Sequence, residues 1–143
     1  MTLALGIDPG ETDDLAALHA GGWLLLDPAT VAATPWAYAD FVRRSWAEIG
    51  IAKSGYVEAR CGWFSDRSAC YLASGRPVVA LDTGFGDHLP TDAGLLAFRT
   101  APEAAAAVEQ LRADYPRHRR AARELAEAHF DSDRVLTRLL ERL

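Results

Sequence analysis

The sequence predicts an α/β protein with a mainly parallel, Rossmann-like sheet and helices on both faces. Three observations carry this. Short apolar runs, LALGI at 3–7, WLLLD at 23–27, PVVALD at 77–82 and GLLAF at 94–98, alternate with longer stretches of helical periodicity. Strands separated by helices run parallel, because each helix returns the chain to the same end of the sheet. PVVALD is apolar at successive positions, as in a strand covered on both faces, and the 143 residues, 50% hydrophobic and 24% charged, suffice for one domain with a real core.

The elements follow in order. LALGI ends at the turn Asp8-Pro9-Gly10, after which Thr12 can cap a helix through Ala20 that Gly21-Gly22 stops. WLLLD is the second strand, Pro28 to Ala33 a helical turn, and Pro35 opens a helix through about Glu48 in which Trp36, Phe41 and Trp46 supply bulk. IGIAK reads as a short strand, followed by a helix near Tyr56 to Arg60. Ser65 is then an N-cap with Asp66 as a first-turn charge; Ala69, Leu72 and Ala73 share a face, and Gly75 ends the helix. After PVVALD and GLLAF come helices from about Pro102 to Ala113, Pro116 to His129 and Ser132 to Arg142. In the last, Val135, Leu136, Leu139, Leu140 and Leu143 form one apolar stripe that docks on something.

Composition narrows the function. The net charge of −5 disfavours a general nucleic-acid surface. The basic run Arg117-His118-Arg119-Arg120 with Arg123 is followed at helical spacing by Glu124 and Glu127, which makes it a salt-bridged, solvated face. Cys61 and Cys70 read as free thiols, Cys70 the more buried, and no Cys/His spacing completes a zinc site. No apolar run approaches the ~18 residues of a membrane span, and MTLALGIDPG lacks the marks of a signal peptide, so the expectation is a cytoplasmic protein without a membrane span.

Ligands of doubly wound sheets lie beyond the carboxyl ends of the strands. That places two loops at one site: Gly62 to Arg67, leading into a helix N-terminus, and Asp82 to Leu89, leaving PVVALD. A helix N-terminus offers unpaired N–H groups and partial positive charge, which suits a diphosphate. Ser65, Arg67 and Ser68 add donors, and Thr83-Gly84 lets backbone approach a sugar or phosphate closely. Arg67 reads either as a diphosphate ligand or as an ion-pair partner, Lys53 as a phosphate ligand or a solvated lysine, and Thr83 as a ligand contact or a turn residue. His88 reads as a loop histidine rather than an acid–base group, and Glu48 faces either the site or solvent.

ASGRPVVALDTGFG resembles the A-x-G-x-P-V-V-A stretch in the donor-binding domain of GT-B glycosyltransferases. The wider run, from GGWLLLDP through GWFSDRSACYLASGRPV to AARELAEAHFDSDRVLTRLL, is similar to a bacterial group of glycosyltransferase-like proteins carrying GWFSDRS. The resemblance implies the Rossmann-like, C-terminal half of a GT-B enzyme. That half binds a nucleotide-diphosphate sugar, while a separate N-terminal half, absent from this chain, binds the acceptor and often provides the catalytic base. It implies sugar transfer to an acceptor hydroxyl without an essential metal or other cofactor, and little activity from this half alone. Two glutamates typical of many retaining members fall at Gly62 and Cys70, so the ribose contact is not matched, and Asp66 is either a substitute from a neighbouring position or a helix-start charge.

Two other readings compete with this one. LGIDPG looks like the first catalytic-aspartate strand of ribonuclease H-like nucleases, where Asp8 would bind a divalent metal, but that fold continues into a hairpin strand and ETDDLAALHAGG reads as a helix. The chain can also be a non-catalytic remnant or interaction module whose terminal stripe forms a homodimer.

Overall fold

The computed structural model describes residues 1–142. The protein is α/β and Rossmann-like, and every paired strand is parallel. The strands fall into two sheets, and the chain divides into two compact units, Met1–Arg44 and Ser45–Leu143.

In the first unit β1 (Thr2–Ala4) pairs with β2 (Leu24–Leu26), Thr2 opposite Leu24, and α1 (Thr12–Ala20) lies between them in sequence. The turn falls where the sequence predicts it: Asp8 Oδ1 accepts from the Gly10 N–H at 2.8 Å. Thr12 is the first helical residue rather than the cap; Glu11 holds that position and makes no side-chain bond. The hairpin that the nuclease reading needs after Asp8 is therefore a helix. Asp27 caps α2 (Pro28–Val31), accepting from the Ala29 N–H at 2.8 Å. Next, α3 (Pro35–Arg44) starts on its proline and stops short of Glu48, which is claimed by a strand. Trp36, expected to supply bulk, is 83% exposed.

The second unit is built on β3 (Glu48–Gly50), β4 (Val78–Leu81) and β5 (Leu95–Phe98), in that order, with Val78 opposite both Glu48 and Leu95. Between β3 and β4 lie α4 (Ser54–Glu58) and α5 (Asp66–Ala73), and between β4 and β5 a 3-10 turn, Phe85–Asp87. Three helices follow: α6 (Ala101–Ala113), α7 (Tyr115–His129) and α8 (Ser132–Leu140). Successive strand residues point to opposite faces. On one face Val79, Leu96 and Phe98 pack against Ala107 and Leu111 of α6. Val78 and Leu95, fully buried, point to the other, where α5 and α7 pack. Consecutive burial in PVVALD is thus the result of two covered faces.

Helix ends follow local chemistry. Ser65 caps α5, and Gly75, at φ 63°, turns the chain out of it with its N–H on Leu72 O. The face of α5 differs from expectation: Ser68, Tyr71 and Leu72 are buried, whereas Ala73 and Cys70 are exposed. Cys70 lies off the stripe because α7 and the sheet approach from the Ser68–Tyr71–Leu72 side. The basic run of α7 is explained in part by the same helix, since Arg119 donates to Gly75 O at 3.4 Å and Arg123 to Ala73 O, placing cations at the negative end of α5. Arg123 also pairs with Glu127 at 2.7 Å, the helical spacing that the sequence predicts.

His118 is the exception in that run. It is 1% exposed, and its Nδ1 accepts from the Gly94 N–H at 3.2 Å, so the bonded form is neutral with its proton on Nε2. Burial, with help from Arg117, pushes its pKa below the ordinary histidine value. The unfolded chain consequently binds a proton that the folded unit refuses. Stability is complete above about pH 6.5 and falls as the pH drops below it, with a slope of up to ~1.4 kcal/mol per pH unit. Urea unfolding at pH 8 and pH 5 checks this; His118→Gln, which keeps an acceptor for Gly94, should flatten the difference.

In α8, Val135, Leu136, Leu139 and Leu140 are 44–69% exposed, so the stripe is uncovered; Leu143, counted with it, lies outside the described residues. Among the described residues no helix is long and apolar enough to cross a membrane.

Candidate functional site

The second unit carries a cleft at the carboxyl ends of β3 and β4. Gly50, Ala52, Ala80 and Leu81 form its strand-end floor, Ser65, Arg67 and Ser68 of the α5 start one wall, and Trp63, Phe64 and Phe85 an aromatic wall. It is shallow and open, with about 250 Å³ of space largely continuous with solvent and room for about one enclosed water.

The α5 start is built by its own side chains. Ser65 Oγ accepts from the Arg67 N–H at 3.2 Å, and Asp66 Oδ1 from the same N–H at 2.8 Å. Asp66 therefore acts here as the first-turn charge, a negative group on the helix's positive end. Ser68 is 2% exposed and borders the cleft. Arg67 Nε donates to Glu48 Oε1 at 2.5 Å; its side chain is 48% exposed, while that of Glu48 is only 4% exposed. The ion-pair alternative for Arg67 and the inward alternative for Glu48 are one arrangement: residue 48 of β3 points to the face that α5 covers.

Of the predicted site residues, Ser65, Arg67 and Ser68 come together in the cleft. Thr83 stands behind the aromatic wall. It is fully buried, its hydroxyl donating to Trp63 O at 2.6 Å, and the Gly62 N–H donates to Thr83 O at 2.8 Å. These two bonds fix the 62–63 loop against the β4 end. Gly84, at φ 94°, lets the chain turn where a Cβ would lie 3.0 Å from Arg60 O. Lys53 is exposed at the cap position of α4 and does not border the cleft. His88 is exposed, as expected.

Beyond β4, Asp82 is held by three neighbours. Its Oδ1 accepts from the Gly84 N–H at 2.8 Å, its Oδ2 from Arg99 at 2.8 and 3.0 Å, and Arg60 lies 3.8 Å away. Burial by itself raises its pKa, but the Gly84 bond and the two arginines outweigh this and hold it below the ordinary carboxylate value. Arg60 sits in the left-handed region at φ 44° and also reaches Asp87 at 3.6 Å. This network ties Arg60, after α4, and Arg99, after β5, to the loop that leaves β4.

Sequence reasoning missed the aromatic wall. Tyr56 and Trp63 stack at 5.1 Å and stay 37% and 38% exposed, while Phe64 stacks on Phe130 at 5.5 Å and meets Phe85 edge-on at 5.4 Å. GWF is a visible signal, but only the fold brings Phe85, from beyond β4, to it. Among the described residues no group of three or more His, Cys, Asp or Glu is placed to hold a metal, and Asp8 makes its turn bond without a carboxylate cluster around it.

Fold and cleft together define an α/β domain of Rossmann-like type with an open cleft at its strand ends, where such sheets take ligands. The chain matches no protein-family model, no curated protein and no solved structure.

Proposed function

We propose that the second unit is a nucleotide-diphosphate-binding domain, the donor-sugar half of a cytoplasmic GT-B-like glycosyltransferase that transfers a sugar to an acceptor hydroxyl once an acceptor-binding half completes it. The observation that carries the reading is the cleft's two-part lining: the flat, 38% exposed ring of Trp63, on which Tyr56 stacks, and the start of α5 two residues further on. Two residues span at most ~7 Å, a gap that one ribose bridges, so a base on the rings would bring its phosphates to the helix start. Stacking supplies affinity for the base, and the α5 N–H groups with Arg67 supply it for the diphosphate, so no metal is required of the protein.

Calorimetric titration with UDP, GDP and ADP tests this. The expected result is saturable binding of one of them, weakened about tenfold by Trp63→Ala, since stacking one base is worth ~1–3 kcal/mol. The substitution leaves the loop tie intact, because Thr83 bonds the Trp63 carbonyl rather than the ring. A folded protein that binds none of the three rejects the reading. If that protein also has the mass of a dimer in solution, the interaction-module reading takes its place, favoured by the uncovered apolar stripe of α8.

A further inference from the structure

The Ser68 hydroxyl stands in the cleft lining without a hydrogen-bond partner among the described residues. The residue is 2% exposed, yet its hydroxyl is not sealed from solvent as Glu48 Oε2 is. The small opening that Ser68 keeps is therefore at its hydroxyl, and the surface it opens on is the cleft. The direction is that of any helical side chain, since each Cα–Cβ bond tilts back toward the helix N-terminus. The main chain of Ser68 is open as well. Among the N–H groups of the α5 start, that of Arg67 is held by Ser65 Oγ and Asp66 Oδ1 and that of Ala69 by Ser65 O at 3.1 Å; that of Ser68, between them, bonds no described residue. The other polar side chains of the lining are committed, Ser65 Oγ to the cap and Arg67, which only donates, to Glu48. Buried polar groups in native proteins have partners, so Ser68 presents two donors, O–H and N–H, to an acceptor from outside the chain.

We propose that Ser68 is a specificity-determining residue of this cleft, its hydroxyl and N–H donating to the second phosphate of the nucleotide and so selecting a nucleoside diphosphate over the monophosphate. This rests on the nucleotide reading above and adds to it which phosphate is recognised and by which groups. With the base on the Trp63 ring and the ribose spanning the gap to Ser65, the first phosphate stands at the helix start. Ser68 follows three residues later, a rise of ~4.5 Å along α5, and its side chain reaches back over that turn, so the next phosphate is the one it meets. Phosphate oxygens accept from both donors, and hydrogen bonds to an ionised group are roughly twice as strong as neutral ones. No movement of Arg67 away from Glu48 is required. Asp66, whose carboxylate would repel an anion, is exposed and does not border the cleft.

The test is calorimetric titration of wild type, Ser68→Ala and Ser68→Cys with UDP, GDP and ADP and with UMP, GMP and AMP, each variant first shown by its melting curve to be folded. Ser68→Ala removes the O–H and keeps the N–H; Ser68→Cys exchanges the O–H for a weak donor. Wild type is expected to bind one diphosphate about tenfold or more tighter than the matching monophosphate. Ser68→Ala should lose about tenfold for that diphosphate and less than about twofold for the monophosphate, with Ser68→Cys in between. A merely structural role would weaken both ligands alike, so equal losses overturn the inference, as does no loss for either or a wild type that binds both equally. Should Ser68→Ala fail to fold, the same comparison on Ser68→Cys decides. Absence of any nucleotide binding to wild type would instead remove the underlying reading, and this inference with it.

Discussion

Replacing Gly94 by alanine is expected to destabilise the second unit by about 3 kcal/mol, enough to unfold a marginal domain. Gly94 stands at φ 78° at the start of β5, against α7, and an ideal Cβ there would lie 2.3 Å from Ala122 N and 2.7 Å from Ala121 C. The left-handed conformation alone costs a non-glycine residue ~1–2 kcal/mol. The clash is with helix backbone, which cannot rotate aside as a side chain can, so the helix must shift; overpacking of this kind costs ~1–3 kcal/mol. That shift also stretches the His118 Nδ1 bond to the Gly94 N–H, now 3.2 Å. Urea unfolding monitored by tryptophan fluorescence measures the loss. Gly86→Ala is the control: its Cβ would meet Thr91 Cγ2 at 3.5 Å and Oγ1 at 4.0 Å, ordinary contacts, and its φ is not positive, so it should be near neutral. A Gly94→Ala loss below about 1 kcal/mol would show that α7 does not approach β5 as closely as described.

Arg67→Ala is expected to cost about 2 kcal/mol, and to cost less once Glu48 is neutral. Removing one partner of a fully buried ion pair typically costs ~3–5 kcal/mol, because the other charge is left without compensation. Here the arginine side chain is 48% exposed while that of Glu48 is 4% exposed, so water enters part of the vacated space and the penalty is smaller. The double variant Glu48→Gln/Arg67→Ala removes the stranded charge and should recover at least half of the loss, giving a coupling of about 1 kcal/mol or more in a double-mutant cycle. Additive effects would mean that the bond between Arg67 and Glu48 contributes nothing to the fold. The cycle also bears on ligand work, since a loss of nucleotide binding in Arg67→Ala alone mixes a lost anion contact with a weakened α5 start.

Much of the fold was legible because its signals are local. Ser65, Gly75, Asp27 and Thr100 act on N–H and C=O groups within four residues, and β4 declares itself by being apolar at every position. Where local signals competed, the prediction slipped. The helix from Pro35 ran on to Glu48 because WAE suits a helix, yet Glu48 pairs with Val78 thirty residues away. Cys70, expected to be the more buried thiol, is exposed, and the face expected from Ala69, Leu72 and Ala73 is replaced by Ser68–Tyr71–Leu72, chosen by where α7 lies.

The site divides the same way. The sequence by itself determined that a capped helix start and a glycine-bearing loop would meet at the carboxyl ends of parallel strands, since the parallel direction follows from the alternation of apolar runs with helices and helix caps follow from hydrogen bonds between near neighbours. It did not determine what their side chains do there. Thr83 turned inward to the Trp63 carbonyl and Arg67 took Glu48, pairings across 20 and 19 residues that form only when the sheet brings distant segments together, and Tyr56 stacked on Trp63 within the connection between β3 and β4. Tertiary structure decided these because a buried hydroxyl or carboxylate must find a partner to offset its lost hydration, and which partner stands within reach depends on how the elements pack, not on which residues precede it in the chain.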